Sequence, residues 1–314
     1  MQFKKYILVP AMKKSGTTAL WLLKMILPIS LAVRFLDYFG ILTYIAGFLD
    51  PVFMNLGLPG STAIIFITSI FLPLYAPLAI ITSMSLTLRE LTILALMCQI
   101  AHNLPVESAI QAKTGTSFWG MTTLRIVMSI LTAFVLNLIL PVEMGMPLFV
   151  QTDIVVINSI GELLLAWLKG SLNIAILIFV IIFSLNLLYN ILNAYHLISK
   201  LSKGVEPLLK FFGLSANTGF LWLIGYIVGL AYGGALMMDQ LKEGTVTRKE
   251  ANLLNHHLAV SHSVIEDNLL FVALGVSIWW ILGVRFTVAW FVVWFRRLIL
   301  RMSSNNKVNY NAYF

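Results

Sequence analysis

Charge is what this sequence has least of. Only 11% of its residues are charged and 59% are hydrophobic, where a soluble domain is about a quarter charged and about half apolar. A chain this poor in charge cannot give each helix a polar face, which excludes a large soluble helical core. Alternating segments of about ten residues are also missing, which excludes a transmembrane β-barrel. Cysteine occurs once, at Cys98, so an internal disulfide and a cysteine-based zinc site are both excluded. There is no Walker loop, HExxH stretch or nucleophile elbow. "GLPGS" at 57–61 is a turn, because no lysine follows at the phosphate-loop spacing. Neither an enzyme nor a bound cofactor is expected, and any active transport would draw on an ion gradient. The net charge of +8 comes with no run that mixes basic and exposed aromatic residues, so no nucleic-acid partner is expected. "MQFKKYILVPAMKK" has too short an apolar run for a signal peptide.

What the sequence does have is long apolar stretches. Residues 17–36, 60–82, 120–141 and 158–188 carry two charges at most, and 267–301 is apolar save for Asp267, Arg285 and the arginines at its end; each is long enough to cross a hydrocarbon core of roughly 30 Å. The expected class is an all-α, polytopic integral membrane protein with the lipid bilayer as its main partner. Basic residues mark the cytoplasmic side. Lys4, Lys5, Lys13 and Lys14 place the N-terminus inside, and Arg296, Arg297, Arg301 and Lys307 place the C-terminus inside. The stretches holding Asp37 and Asp50, and Glu143 and Asp153, contain no lysine or arginine and read as outside. Lys200, Lys203 and Lys210 read as inside. The expected location is the plasma membrane, with both termini cytoplasmic.

The chain also repeats itself. At an offset of 160, Thr87 meets Thr247, Glu90 meets Glu250, His102 meets His262, Glu107 meets Asp267, Trp119 meets Trp279 and Arg125 meets Arg285. Upstream the offset becomes 156, where Gly57 meets Gly213, and the difference falls near residue 240. The charge pattern turns the second copy over, so the expectation is two tandem inverted-topology repeats, each with an odd number of crossings. The boundaries follow: 1–16 a cytoplasmic N-terminus, 17–141 the first repeat, 142–157 an external linker, 158–301 the second repeat, and 302–314 a cytoplasmic tail. Each repeat holds an interrupted apolar segment. One carries Pro73 and Pro77; the other carries Gly225, Gly229, Gly233 and Gly234. Both fit either re-entrant hairpins beside a transport site or ordinary kinks and small-residue packing.

Polar residues gather at two equivalent places. "QIAHNLPVESA" at 99–109 carries His102, Asn103 and Glu107, with Pro105 breaking the helix between them. "KEANLLNHHLAVSHSVIEDN" at 249–268 carries Asn252, Asn255, His256, His257, Ser261, His262, Ser263, Glu266 and Asp267. Such side chains are costly against lipid and mark either a wet cavity or protein packing. The polar positions shared by both copies are the candidate binding residues for a small polar solute: His102, Asn103, Glu107 and Glu90, with His262, Ser263, Asp267 and Glu250. A nucleoside-like solute suits their mix of donors and acceptors. The competing reading has the histidines bonding structural carboxylates or carbonyls. Arg125 and Arg285 are expected to snorkel toward the interface, or else to pair with Glu107 and Asp267 inside. A divalent-cation site at His257, His262 and Glu266 is a further alternative, since His262 and Glu266 share a helix face.

The stretch 55–108 resembles the Gate, or nucleoside-recognition, domain family. The likeness rests on Gly-Leu-Pro-Gly at 57–60, Thr-x-Arg-Glu at 87–90 and His-Asn-Leu-Pro-x-Glu at 102–107. The second half looks like a diverged copy that keeps Thr247, Lys249, Glu250, His262 and Asp267 and loses the prolines. Related domains occur in concentrative nucleoside transporters, in the membrane part of FeoB-type ferrous-iron transporters and in spore-maturation membrane proteins. The resemblance implies a transporter-like pore or gate without fixing its cargo, its coupling ion or whether copies associate into a homo-oligomer. These residues hold no FeoB-type GTPase domain, so GTP-driven iron uptake by this chain alone is not expected. A membrane scaffold or regulatory subunit is the reading outside transport.

Overall fold

A computed structural model describes residues 7–82, 84–148, 159–195 and 197–311. Lys4, Lys5 and Asp153, on which part of the orientation reading rests, lie outside the described residues, as do the side chains of Asp37, Lys200, Lys203 and Lys307. Every element among the described residues is helical. The first half runs α1 (Val9–Tyr38), α2 (Ile41–Met54), α3 (Ala63–Phe71), α4 (Tyr75–Ile81), α5 (Leu88–Ile100), α6 (Leu104–Lys113) and α7 (Phe118–Ile139). The second runs α8 (Ile160–Ala194), α9 (Leu197–Gly204), α10 (Glu206–Phe211), α11 (Gly219–Ile227), α12 (Leu230–Glu243), α13 (Arg248–Ser261), α14 (Val264–Val272) and α15 (Ile278–Asn311). Helical stretches at 88–113, 118–139, 160–192 and 278–302 are long and apolar enough to cross a membrane.

The two halves share one local design. Shifted by 156, α3 falls on α11 residue for residue; shifted by 160, α5, α6 and α7 begin where α13, α14 and α15 begin. Thr87 with Glu90 and Thr247 with Glu250 form reciprocal capping boxes that start α5 and α13. The backbone turns left-handed at equivalent places, Asn103 and Ser263 (φ 47° and 48°) and Gly57 and Gly213 (φ 73° and 74°). The extra residues near 240 lengthen α12 beyond its counterpart α4 rather than forming a loop.

Contacts between the halves fix their relative direction. Asn190 Nδ2 donates to the Ile7 carbonyl at 3.1 Å, and Ser15 Oγ to the Ile182 carbonyl at 3.3 Å, so α1 and α8 run antiparallel. Gln99 Nε2 reaches the Asp267 carbonyl at 3.0 Å, Gln111 Nε2 the Asn255 carbonyl at 2.8 Å, and Asn252 Nδ2 the Gly115 carbonyl at 2.8 Å. Partner numbers fall from 267 to 252 as the first rise from 99 to 115. The broken helix α5–α6 therefore lies antiparallel to the broken helix α13–α14. Equivalent elements face each other head to tail, the arrangement of an inverted repeat, and α5 and α13 are buried along most of their length.

Three of the expected spans are built differently. Residues 60–82 form a pair of short helices rather than one crossing. Leu72 is extended ahead of Pro73, which disfavours helix at the residue before it, and α4 turns back to pack on α3. Its partner breaks at Gly229, where φ is 100°. Residues 267–301 are interrupted by a turn at Gly275, which separates α14 from α15. α1 begins at Val9, before residue 17, and α15 continues past residue 301 to Asn311. These pairs of short helices brace the broken helices. The Asn103 amide donates to the Ser69 carbonyl at the end of α3 (2.8 Å), and the Ser263 amide to the Gly225 carbonyl in α11 (2.9 Å).

The turn at Gly57 is a direct test of this packing. A Cβ there would sit 2.1 Å from Asn137 Oδ1, at a φ of +73°. Gly57→Ala is expected to lower stability by about 1–3 kcal/mol in reversible detergent unfolding. Gly16→Ala, helical with open space around it, is expected to be neutral or slightly stabilising. Equal stability of the two variants would show that the turn is not required.

Candidate functional site

A helix that stops inside a membrane leaves its last carbonyls without partners. α5 stops at Ile100 and α13 at Ser261, and each is closed by a fully buried arginine from the long helix beside it. Arg125 Nε donates to the Ile100 carbonyl (2.7 Å), Nη2 to the His102 carbonyl (3.0 Å) and Nη1 to Glu107 Oε2 (2.5 Å). Arg285 repeats the pattern, with Nε on the Val260 carbonyl (3.4 Å) and Nη2 on the His262 carbonyl. Its Nη1 donates to Asn268 Oδ1 (2.8 Å), and Asp267 Oδ2 lies 3.5 Å from Nη2. A positive group at a helix C-terminus also meets the negative end of the helix dipole. Both arginines are completely buried. The snorkelling expectation is overturned for both, because the freed carbonyls and the carboxylates hold the guanidinium forks inside.

The breaks bring the two copies' histidines face to face. His102 Nε2 and His262 Nε2 are 3.3 Å apart. Glu107 spans both, with Oε1 3.2 Å from His102 Nε2 and Oε2 3.2 Å from His262 Nε2. His102 Nδ1 lies 3.1 Å from the carbonyls of Cys98 and Gln99, and His262 Nδ1 lies 2.7 Å from the Leu258 carbonyl. A carbonyl only accepts, so this geometry assigns the ring hydrogen of each neutral histidine to Nδ1 and leaves an Nε2 lone pair toward the centre. His102, Glu107 and His262 are all buried, and Glu107 thus pairs with residues of both repeats. Asp267, one methylene shorter, makes only the longer contact to Arg285, and Asn268 supplies the close one. Tyr75 donates its hydroxyl to Glu266 Oε1 at 2.5 Å, which ties α4 to α14.

The sequence is 30% identical over 279 residues to the uncharacterized membrane protein YvoD of Bacillus subtilis strain 168, covering 88% of this chain and 89% of that protein. The chain belongs to the YvoD family of membrane proteins. No protein-family model matches it. No solved structure matches it.

In this YvoD-family chain, only some of the expected site residues meet. His102, Glu107 and His262 converge, with Asp267 beside them in the Arg285 contact. Asn103 and Ser263 act through their backbone, as the left-handed N-cap residues just ahead of α6 and α14. Glu90 and Glu250 do not reach the centre. They sit in the capping boxes at the far ends of α5 and α13, where helix starts demand a carboxylate. Partial burial raises the Glu250 carboxyl, but bonds from Ser215, Thr247 and Asn217 outweigh it and hold it below its usual range. That contribution is present at neutral pH and is lost as pH falls through the lowered value. The His257–His262–Glu266 alternative is also overturned. The Trp222 indole donates to His257 Nε2 at 2.9 Å, and the Tyr226 hydroxyl lies 2.7 Å from the same atom, away from His262. Glu266 is taken by Tyr75. Among the described residues, the group able to hold a metal is His102, Glu107 and His262.

Three participants escaped the sequence reading. Gln99 reaches the Asn268 side chain at 3.2 Å, yet Gln99 Oε1 and Asn268 Nδ2 lack protein partners. Tyr75 gives no sign of its role in "LPLYAP". Asn268 could have been found beside Asp267 in "EDN". A separate, largely apolar groove of about 1180 Å³ lies between α7 and α15 and takes in Asn252 and His256, but neither His102 nor His262.

Removing Arg125 would strand Glu107 and two helix-end carbonyls. Arg125→Ala is expected to cost about 3–5 kcal/mol, read by unfolding in detergent. Arg125→Lys is expected to recover only part, since a single ammonium nitrogen cannot stand at the three places that Nε, Nη1 and Nη2 occupy. A loss below about 1 kcal/mol, the value of an exposed pair, would contradict the cap.

Proposed function

We propose that the chain is a secondary permease in which a small solute or ion passes between two inverted repeats. The observation that carries this reading is the meeting of two antiparallel broken helices at a buried layer of histidine, carboxylate and guanidinium groups. Discontinuous helices at a repeat interface are where secondary transporters hold their substrates and coupling ions. A non-transporting scaffold would leave these polar residues sealed in protein, and His102 and His262 are both buried; the paired helix breaks at the repeat interface are what favour the permease over it. The Gate-type resemblance points the same way. The charge pattern puts both termini in the cytoplasm, and the plasma membrane is the proposed location.

Of the two cargo classes open from the sequence, the geometry favours a cation over a nucleoside-like solute at this layer. Its facing atoms stand 3.2–3.3 Å apart, spacing that suits an ion. A nucleoside would require α5–α6 to separate from α13–α14.

Cys98 offers a test, as the chain's sole cysteine. It lies near the end of α5, and its carbonyl is 3.1 Å from His102 Nδ1. A membrane-impermeant thiol reagent applied to vesicles of either orientation is expected to label Cys98 slowly from at least one side. Labelling only after unfolding would contradict the permease reading and favour a sealed scaffold.

A further inference from the structure

We propose that His102, His262 and Glu107 form a binding site for a divalent transition-metal ion of the zinc class. The binding itself stands on geometry; only the ion's passage rests on the permease reading. A tetrahedral ion with nitrogen and oxygen ligands at roughly 2.0–2.1 Å holds those ligands about 3.3 Å apart. Here the two Nε2 atoms stand 3.3 Å apart and His102 Nε2 stands 3.2 Å from Glu107 Oε1, while His262 Nε2 lies 3.2 Å from the carboxylate's other oxygen, Oε2. The ligand atoms all lie within 4.8 Å of one another.

The hydrogen-bond pattern points to a cation as well. With Nδ1–H of each ring turned to a backbone carbonyl, both Nε2 lone pairs and the carboxylate face one spot. With both rings neutral, three acceptors meet there and no ring hydrogen lies between them; a protonated ring would instead donate to Glu107. One cation satisfies all three at once. The carbonyls on Nδ1 are the outer partners that fix ring tautomer and orientation in metal-bound histidines. Arg125 occupies Glu107 Oε2 at 2.5 Å, which leaves Oε1 for the ion.

The ligand types narrow the ion. Two imidazoles and one carboxylate suit zinc, ferrous iron, cobalt or nickel more than magnesium or calcium, which take oxygen shells. Cys98 turns only its carbonyl to His102, so no thiolate draws the site toward softer ions. Three protein ligands leave a fourth position open, the mark of a site that exchanges what it holds rather than a closed structural one.

The test uses the full-length protein in detergent, stripped with a chelator and titrated with Co²⁺. One equivalent is expected to bind with the intense visible bands of a tetrahedral site and to be displaced by Zn²⁺. His262→Gln and Glu107→Gln are each expected to weaken binding more than about 10-fold, while His256→Gln, in the separate groove, leaves it unchanged. X-ray absorption of the zinc-loaded wild type, which needs no variant to fold, is expected to show two imidazole ligands. An absent stoichiometric site, unchanged affinity in His262→Gln, or an all-oxygen shell would overturn the assignment. Metal binding with Cys98 sealed from both sides would uphold the site and overturn the permease. Accessible Cys98 without metal binding would do the reverse.

Discussion

A buried arginine holding the cut end of a helix is the interaction on which the rest of this structure depends. Breaking a helix in a membrane sets free carbonyls that neither lipid nor water can satisfy. Arg125 and Arg285 answer that need from the neighbouring long helices, and each fork also meets an acidic residue or its amide neighbour. The charge is tolerable because it is paired, and the pairing is possible because the helix is broken. The broken helices then place a histidine at each cut, where two copies of one motif can meet.

Duplication supplies that meeting, and divergence gives it a direction. Antiparallel copies set His102 against His262, yet the acid beside them comes from one half only. Glu107 is long enough to touch both rings and Arg125, whereas Asp267 stays with Arg285 at 3.5 Å. The centre is thus symmetric in its rings and lopsided in its charge. The first copy provides the bridging carboxylate; the second provides Asn268, which accepts from Arg285 and Gln99, and Glu266, which ties α14 to α4 through Tyr75.

Much of this was legible because polar residues are so scarce. In a chain this apolar, Glu, His, Trp and Arg recurring at a fixed offset stand out, and the helix starts at Thr87 and Thr247 carry their own capping signal. The break at Asn103 is announced by Pro105. Its partner at Ser263 has no proline and is visible only through the repeat. Hydropathy could not separate one crossing from two short helices at 60–82, since both bury the same apolar residues. Nor could it place Arg125 and Arg285, because an arginine near a span's end looks the same whether it faces water or caps a neighbour. Helical spacing put His262 with Glu266 on one face, but the helix ends at Ser261 and the face is lost.

The central claim is that the two halves oppose each other across the membrane. Ser85 and Thr245 are exposed and equivalent at the offset of 160, just ahead of α5 and α13. In a Cys98→Ala background, Ser85→Cys and Thr245→Cys can each be labelled with an impermeant reagent in vesicles of known orientation. The account predicts that the two positions react from opposite sides. Reaction of both from the same side would contradict it.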